Sequence, residues 1–280
     1  MKIRNVKKVV TGKKAVDGAG VRLVRVIGYN DVEDFDPFLM LDAFDSDNPD
    51  DYIKGFPWHP HRGIETVTYL INGNIEHGDS LGNKGSIVDG CCQWMTAGSG
   101  IMHQEMPKPS DRMLGTQLWL NMPKEHKMAE PKYCDITNEM VPTVTEGSNT
   151  IRVVSGDYKG NSSSVYGDYV KMLYLDVHMK GNSEWKLNLN NDETLFVYIV
   201  EGEGYFGGSD DLYESKRALL FGEGEEFAAR TGENEVRFFL YASKPLKESV
   251  AWGGPIVMNT REQLNLAFRE LEEGTFIKHN

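Results

Sequence analysis

Two short segments, His59-Pro60-His61 and His103-Gln104-Glu105, constrain this chain more than anything else in it. Each sets two metal-ligand side chains at i and i+2. Successive side chains of a β-strand alternate faces, so both members of each pair point the same way. Two such strands side by side would aim three imidazoles and one carboxylate at one point. That donor set suits a divalent transition metal, and four protein ligands leave positions open for water or substrate. Where these pairs are used together, the fold is a β fold.

The rest of the sequence keeps the same rhythm. Glu65 to Ile71 is β-branched and aromatic and ends at Asn72-Gly73-Asn74, a hairpin signal. Ile87-Val88, Cys91 to Met95 and Gln117 to Met122 read as further strands, with Gly78 to Gly85 as a turn-rich stretch between. In the second half Tyr169 to Met179, Thr194 to Val200 and Val236 to Tyr241 read as strands, and Gly202 to Gly208 as a turn. Frequent short strands with Gly and Asn turns predict an all-β barrel or sandwich. One helix closes the chain: Thr260 to Gln263 fits a capping box, Leu264, Phe268 and Leu271 form an apolar stripe, and Gly274 can end it. The polar stretch from Lys124 to Asn149 is the linker candidate, which divides the chain into domains 1–135 and 136–280.

Composition narrows the function classes. A formal net charge of −12 argues against non-specific nucleic-acid binding, which needs a positive surface. No run of apolar residues is long enough to span a membrane, and the lysine-bearing stretch from Met1 to Gly20 lacks the apolar core of a secretory signal. Three cysteines, Cys91, Cys92 and Cys134, read as reduced thiols, and the expected location is the cytoplasm.

The halves also resemble each other. Tyr69 to Gly73 laid over Tyr198 to Gly202 puts Asn188 and Asn190 where His59 and His61 stand. Ala97 to Gly100 laid over Phe221 to Gly224 puts Phe227 and Ala229 where His103 and Glu105 stand. On this overlay the second domain keeps the barrel and has lost every ligand.

Gly55 to Tyr69, with its Trp58-His59-Pro60-His61-Arg62-Gly63 core, and Gln93 to Pro107, with Ala97-Gly98-Ser99-Gly100 before His103, resemble the two signature stretches of the pirin family within the cupin superfamily. Pro123 to Met128 and Trp252-Gly253-Gly254-Pro255 continue the likeness. The resemblance implies a bicupin: two tandem antiparallel β-barrels with a short C-terminal helix and one mononuclear metal, usually Fe(II), in the first. It implies His59, His61, His103 and Glu105 as ligands, with Glu65 set aside as an outer contact or an ordinary strand residue. The donor chemistry by itself leaves Mn, Ni, Cu and Zn open beside iron.

Two functions follow from the likeness. One is ring cleavage of a flavonol with O2, as in quercetin 2,3-dioxygenase, with Glu105 also the catalytic base. The other is an iron-dependent redox-sensing binding protein that regulates a transcription factor or a metabolic enzyme by contact. The remaining histidines carry simpler readings: His77, among Gly78, Asp79 and Ser80, as a solvated turn residue, and His126, His178 and His279 likewise. The methionines near the motif (Met95, Met102, Met106, Met113 and Met122) read as core filling. Gly98 and Gly100 read as a tight turn that lets backbone approach the ligand strands.

Overall fold

The strands fall where the alternating and β-branched stretches lie, and they assemble into two compact units that interleave along the chain. A computed structural model describes residues 1–279. One unit comprises Lys13–Val32, Pro37–Asn138 and Leu246–Asn280, and the other Met1–Gly12, Glu33–Asp36 and Glu139–Pro245. These bounds differ from a split into 1–135 and 136–280, because Met1–Gly12 goes with Glu139–Pro245 and Leu246–Asn280 with Lys13–Val32 and Pro37–Asn138. The first strand, Val6–Thr11, pairs with Arg217–Phe221, and the terminal helix belongs with the histidine motifs.

The unit that holds the motifs is built from two larger antiparallel sheets and a two-stranded ribbon, Ala251–Gly253 with Ile256–Met258. The larger runs Lys132–Ile136, Cys92–Thr96, Ile64–Asn72, Met113–Asn121, Phe38–Ser46, Val21–Ile27, Lys13–Asp17. The smaller runs Phe56–His61, Ile101–Pro107, Ile75–Asp79, Lys84–Ile87. Ile64–Asn72 and Met113–Asn121 are buried almost throughout, as central strands covered on both faces are. Asn72-Gly73-Asn74 is not a hairpin: it carries the chain from the larger sheet to the smaller, and Ile75–Asp79 pairs with Ile101–Pro107 instead. Met95, Met113 and Met122 fill the interior, while Met102 and Met106 are half-buried. The region read as a linker contributes the strand Lys132–Ile136 and a fully buried Lys127.

The helix Arg261–Glu272 begins as its sequence dictates. Thr260 Oγ1 accepts from the Gln263 backbone N–H at 3.2 Å, and Gln263 Oε1 accepts from the Thr260 N–H at 3.2 Å. Its buried face is Leu264 and Ala267, against Ile256, Met258 and Phe276, while Phe268 of the expected stripe is exposed.

The second unit packs a phenylalanine-rich core (Phe206, Phe221, Phe227 and Phe238). Its strand Thr194–Phe206 runs 13 residues, straight through the turn expected at Gly202. A register shift between Ile199 and Glu201 bends it, and the chain turns only at Gly207-Gly208. Among the described residues, no helix is long and apolar enough to cross a membrane.

Candidate metal centre

Strand geometry brings the two motifs together. Phe56–His61 lies at the edge of the smaller sheet, a position that tolerates Pro57 and Pro60, which have no N–H to donate. It pairs with Ile101–Pro107 so that His59 stands opposite His103 and Met102 opposite Pro60. The strand then turns at Gly63, where φ is +76° and an added Cβ would lie 2.0 Å from the Val257 carbonyl oxygen. Gly98 is equally constrained, with φ of +50° and its missing Cβ 2.1 Å from the Ala129 oxygen. These are tight backbone approaches that only glycine permits.

One ring nitrogen from each of His59, His61 and His103 lies within 4.8 Å of the others. His59 Nδ1–H donates to the Pro57 carbonyl at 2.9 Å and His61 Nδ1–H to the Pro255 carbonyl at 3.0 Å. A carbonyl only accepts, so both Nδ1 atoms carry a proton, and in the neutral rings both Nε2 atoms present lone pairs. Those two Nε2 atoms face each other at 3.0 Å. Two lone pairs do not approach so closely unless a proton or a metal ion lies between them. Two nitrogen donors at about 2.1 Å from one ion and at right angles would stand about 3 Å apart, so the pair fits a shared metal.

His103 strengthens that fit. It is fully buried, and neither ring nitrogen has a hydrogen-bond partner. A buried imidazole left so costs free energy unless something absent from the protein itself takes a lone pair. Burial, then the neighbouring His59, pulls the His61 pKa down to about 3, and burial likewise holds His103 well below the usual histidine range. Both rings are neutral at pH 7, the state a metal needs.

Glu105 is on the same face but outside the three-nitrogen group. The pairing with Phe56–His61 shifts register between His103 and Glu105, which puts Glu105 opposite Phe56. Gln117 Nε2 donates to both Glu105 carboxylate oxygens, at 2.7 and 2.9 Å, and Thr68 Oγ1 donates to one at 3.4 Å. The Trp119 indole N–H donates to Gln117 Oε1 at 3.3 Å, which fixes the amide with its nitrogen towards Glu105. Glu65 is elsewhere: it is fully buried, accepts from Thr96 Oγ1 at 2.7 Å, and projects from the opposite face of its strand to Thr66 and Thr68. It is therefore not a solvent-facing residue.

His77 is the group that sequence reasoning missed. It is buried in Ile75–Asp79, directly opposite Glu105, with Asp79 opposite His103. The turn-like run Gly78-Asp79-Ser80 hid a strand in which His77 and Asp79 share the ligand face. The i, i+2 rule applied to His59 and His103 would have flagged this pair too.

A cavity of about 860 Å³ opens beside His59 and His61, a size suited to a small organic ligand. Its walls include Tyr29, Trp119 and Trp252, with Trp119 and Trp252 centroids 5.9 Å apart and the Trp119 ring edge-on to His61 at 4.9 Å. Arg25 and Asp42, bidentate at 2.9 and 2.8 Å, and Asp17 form its polar side.

The segment from Ala251 to Phe276 braces this centre. Pro255 orients His61, and the Val257 N–H donates to the Arg62 carbonyl at 3.1 Å. Buried Arg62 donates to the Ser99 and Phe276 carbonyls at 2.6 and 2.8 Å and pairs with Glu270 at 2.7 Å. Lys127 Nζ donates to the Gly63 and Val257 carbonyls at 2.8 and 3.0 Å and to Asn121 Oδ1 at 2.6 Å.

In the second unit, Leu187 stands opposite Phe227 and Trp185 opposite Ala229. The counterpart of His59, opposite His103, is therefore Leu187, not Asn188. Asn188 and Asn190 are exposed, whereas Leu187 and Leu189 pack against the core. The overlay slips by one residue, which moves a strand's side chains to the other face. Among the described residues, the three histidines form the one group of at least three His, Cys, Asp or Glu able to share a metal.

Comparison with known proteins identifies the family and the fold. The pirin family model matches residues 20–120, and the model for the pirin C-terminal cupin domain matches residues 174–277. A pirin-like protein of Caulobacter vibrioides is 39% identical over 99% of this chain and 100% of its own length. Human pirin is 36% identical over 95% of this chain and 92% of its own. The crystal structure of a quercetin 2,3-dioxygenase from Acinetobacter baumannii superposes with a TM-score of 0.88, at 28% identity and 98% coverage of both chains. The chain belongs to the pirin family and is built from two cupin-type domains.

Proposed function

We propose that this protein is a mononuclear-metal dioxygenase that cleaves the central ring of flavonols, as quercetin 2,3-dioxygenase does. The observation that carries the reading is the opposed, 3.0 Å pair of Nε2 atoms from His59 and His61, beside partnerless His103, at the wall of an aromatic cavity. The likeness to the Acinetobacter baumannii enzyme supports it. His59, His61 and His103 would hold one divalent ion, with iron(II) favoured by the family resemblance and Glu105 the fourth donor.

A bound divalent ion supplies Lewis acidity that lowers the pKa of an enolic hydroxyl such as the flavonol 3-OH. The protein's own groups do the rest. Tyr29, Trp119 and Trp252 offer aromatic faces to a planar ligand and exclude water around it. Glu105 accepts the 3-hydroxyl proton. Gln117 holds both Glu105 oxygens and must release one for the proton to land. The deprotonated flavonol is then oxidised by dioxygen, with ring opening and loss of carbon monoxide.

Oxygen uptake by iron(II)-loaded protein with quercetin, against His59→Ala, tests the reading. Uptake in the native protein and none in the variant supports it; equal rates in both overturn it. Glu105→Gln should keep most of the metal and lose turnover by about 10²- to 10⁴-fold, the range for a general base. Unchanged turnover in that variant removes Glu105 from the base role.

A further inference from the structure

Two of the three metal-facing histidines have their second ring nitrogen fixed by a backbone carbonyl, and the third has nothing. A ligating imidazole ordinarily donates its other N–H to an acceptor that sets its tautomer and orientation. Around His103 one buried acceptor stands unused. His77 Nε2 lies 3.2 Å from Asp79 Oδ2, and a carboxylate only accepts, so Nε2 carries the His77 proton. In the neutral ring His77 Nδ1 is then a lone pair, buried and without a partner.

We propose that His77, oriented by Asp79, is the acceptor for the non-ligating N–H of His103, which completes a metal–His103–His77–Asp79 chain. The rings are 5.4 Å apart between centroids, against roughly 5 Å for two imidazoles joined by one N–H···N bond, so the bond, which the two nitrogens do not make here, needs only a small ring adjustment. Strand register supports the pairing, because His77 and Asp79 face Glu105 and His103 across adjacent strands. The chain is anchored at its far end. Asp79 Oδ1 accepts from the Leu81 and Asn83 backbone N–H groups, each at 3.0 Å, and Asn83 Nδ2 donates to Asp79 Oδ2 at 2.9 Å. The Tyr133 ring stacks on His77 at 4.5 Å and 26°, which holds the imidazole plane. Each orphaned buried nitrogen is what the other requires: His103 must place an N–H, and His77 must fill a lone pair. His77 and Asp79 are positioning residues, acting on the metal through His103.

The inference rests on His103 as a metal ligand, not on flavonol turnover, so the test uses nickel(II) alone and no substrate. Nickel(II) affinity is measured by competition with a chelator in the native protein, His77→Phe, His77→Gln and Asp79→Asn. Phe keeps the stack on Tyr133 but cannot accept; Gln restores an acceptor oxygen. In Asp79→Asn the new amide would donate to His77 Nε2, push the proton to Nδ1 and set two donors against each other, with no volume lost. Affinity should fall roughly 10- to 100-fold in His77→Phe and Asp79→Asn, the usual effect of losing such a partner, and mostly recover in His77→Gln. In the cobalt(II)-substituted protein, the shifted, exchange-protected N–H resonance of His103 should be lost in His77→Phe while those of His59 and His61 persist. Affinity within twofold in both His77→Phe and Asp79→Asn, with all three N–H resonances retained, overturns the proposal. Should His77→Phe fail to fold, Asp79→Asn and His77→Gln decide alone. Absence of nickel binding in the native protein would overturn the metal-centre reading itself.

Discussion

Replacing Arg62 by Met removes the main fastening between the ligand strand and the terminal segment. The guanidinium is 2% exposed and its partner Glu270 15%, so little solvent screens the 2.7 Å pair. Breaking such a buried pair costs about 3–5 kcal/mol. The Ser99 and Phe276 carbonyls, at 2.6 and 2.8 Å, lose their donor, at about 1–3 kcal/mol each where water cannot replace it. The stack on Phe276, with the guanidinium carbon 4.2 Å from the ring centroid, is lost as well. Met fills most of the volume, and the freed segment can reach water at its exposed side, so a net loss of about 4–6 kcal/mol is expected. For a domain of this size that lowers Tm by roughly 10–20 °C, read by calorimetry of the metal-free protein. Because Arg62 follows His61, whose Nδ1–H donates to Pro255 on the same segment, metal affinity should fall together with Tm. A shift under about 3 °C would mean that the arm is held by its apolar contacts alone, and the reasoning would fail.

Burial pulls the Lys127 pKa down to about 7 despite the opposing field of Glu248. From about pH 7 to about 10.5 the unfolded chain binds a proton that the folded chain has lost, so stability should rise with pH across that window and be lowest below it. Urea unfolding at pH 7 and pH 9 should show a smaller rise in Lys127→Met than in the native protein; parallel changes in the two would refute it. Gly63→Ala forces a Cβ to 2.0 Å from the Val257 oxygen at a positive φ, and should destabilise by more than about 2 kcal/mol in denaturant unfolding. A change below about 0.5 kcal/mol would show that the turn can move.

What the sequence discloses follows the range of the interactions. The ligand pairs are legible because alternation in a strand is local: His59 and His61, or His103 and Glu105, share a face whatever the rest of the chain does. The capping box at Thr260 is local too. The exact meeting point is not, because the register shift between His103 and Glu105 depends on the partner strand and sets Glu105 beside Gln117 rather than within the histidine group. Local patterning misleads at Asn72-Gly73, a hairpin signal used to change sheets, and at Gly78 to Ser80, turn residues that sit within or beside a buried strand. Leu187 and Asn188 differ by one residue and by a whole face, which an overlay of short matches cannot resolve. Arg62 and Lys127 look like surface cations because their acceptors, Phe276 and Val257, lie 214 and 130 residues away. The interleaving of the units has the same origin: Val6–Thr11 finds its partner at Arg217–Phe221, and no local signal announces that pairing.

The central claim is that three imidazoles, two of them buried, hold one metal in the unit containing His59. The most direct measurement is the metal content of the protein after loading with iron(II) under anaerobic conditions and desalting, for the native chain, His59→Ala and His103→Ala. One equivalent per chain in the native protein, and a small fraction of that in either variant, is the predicted result. A full equivalent retained by His103→Ala, or a second equivalent in the native protein, would contradict it.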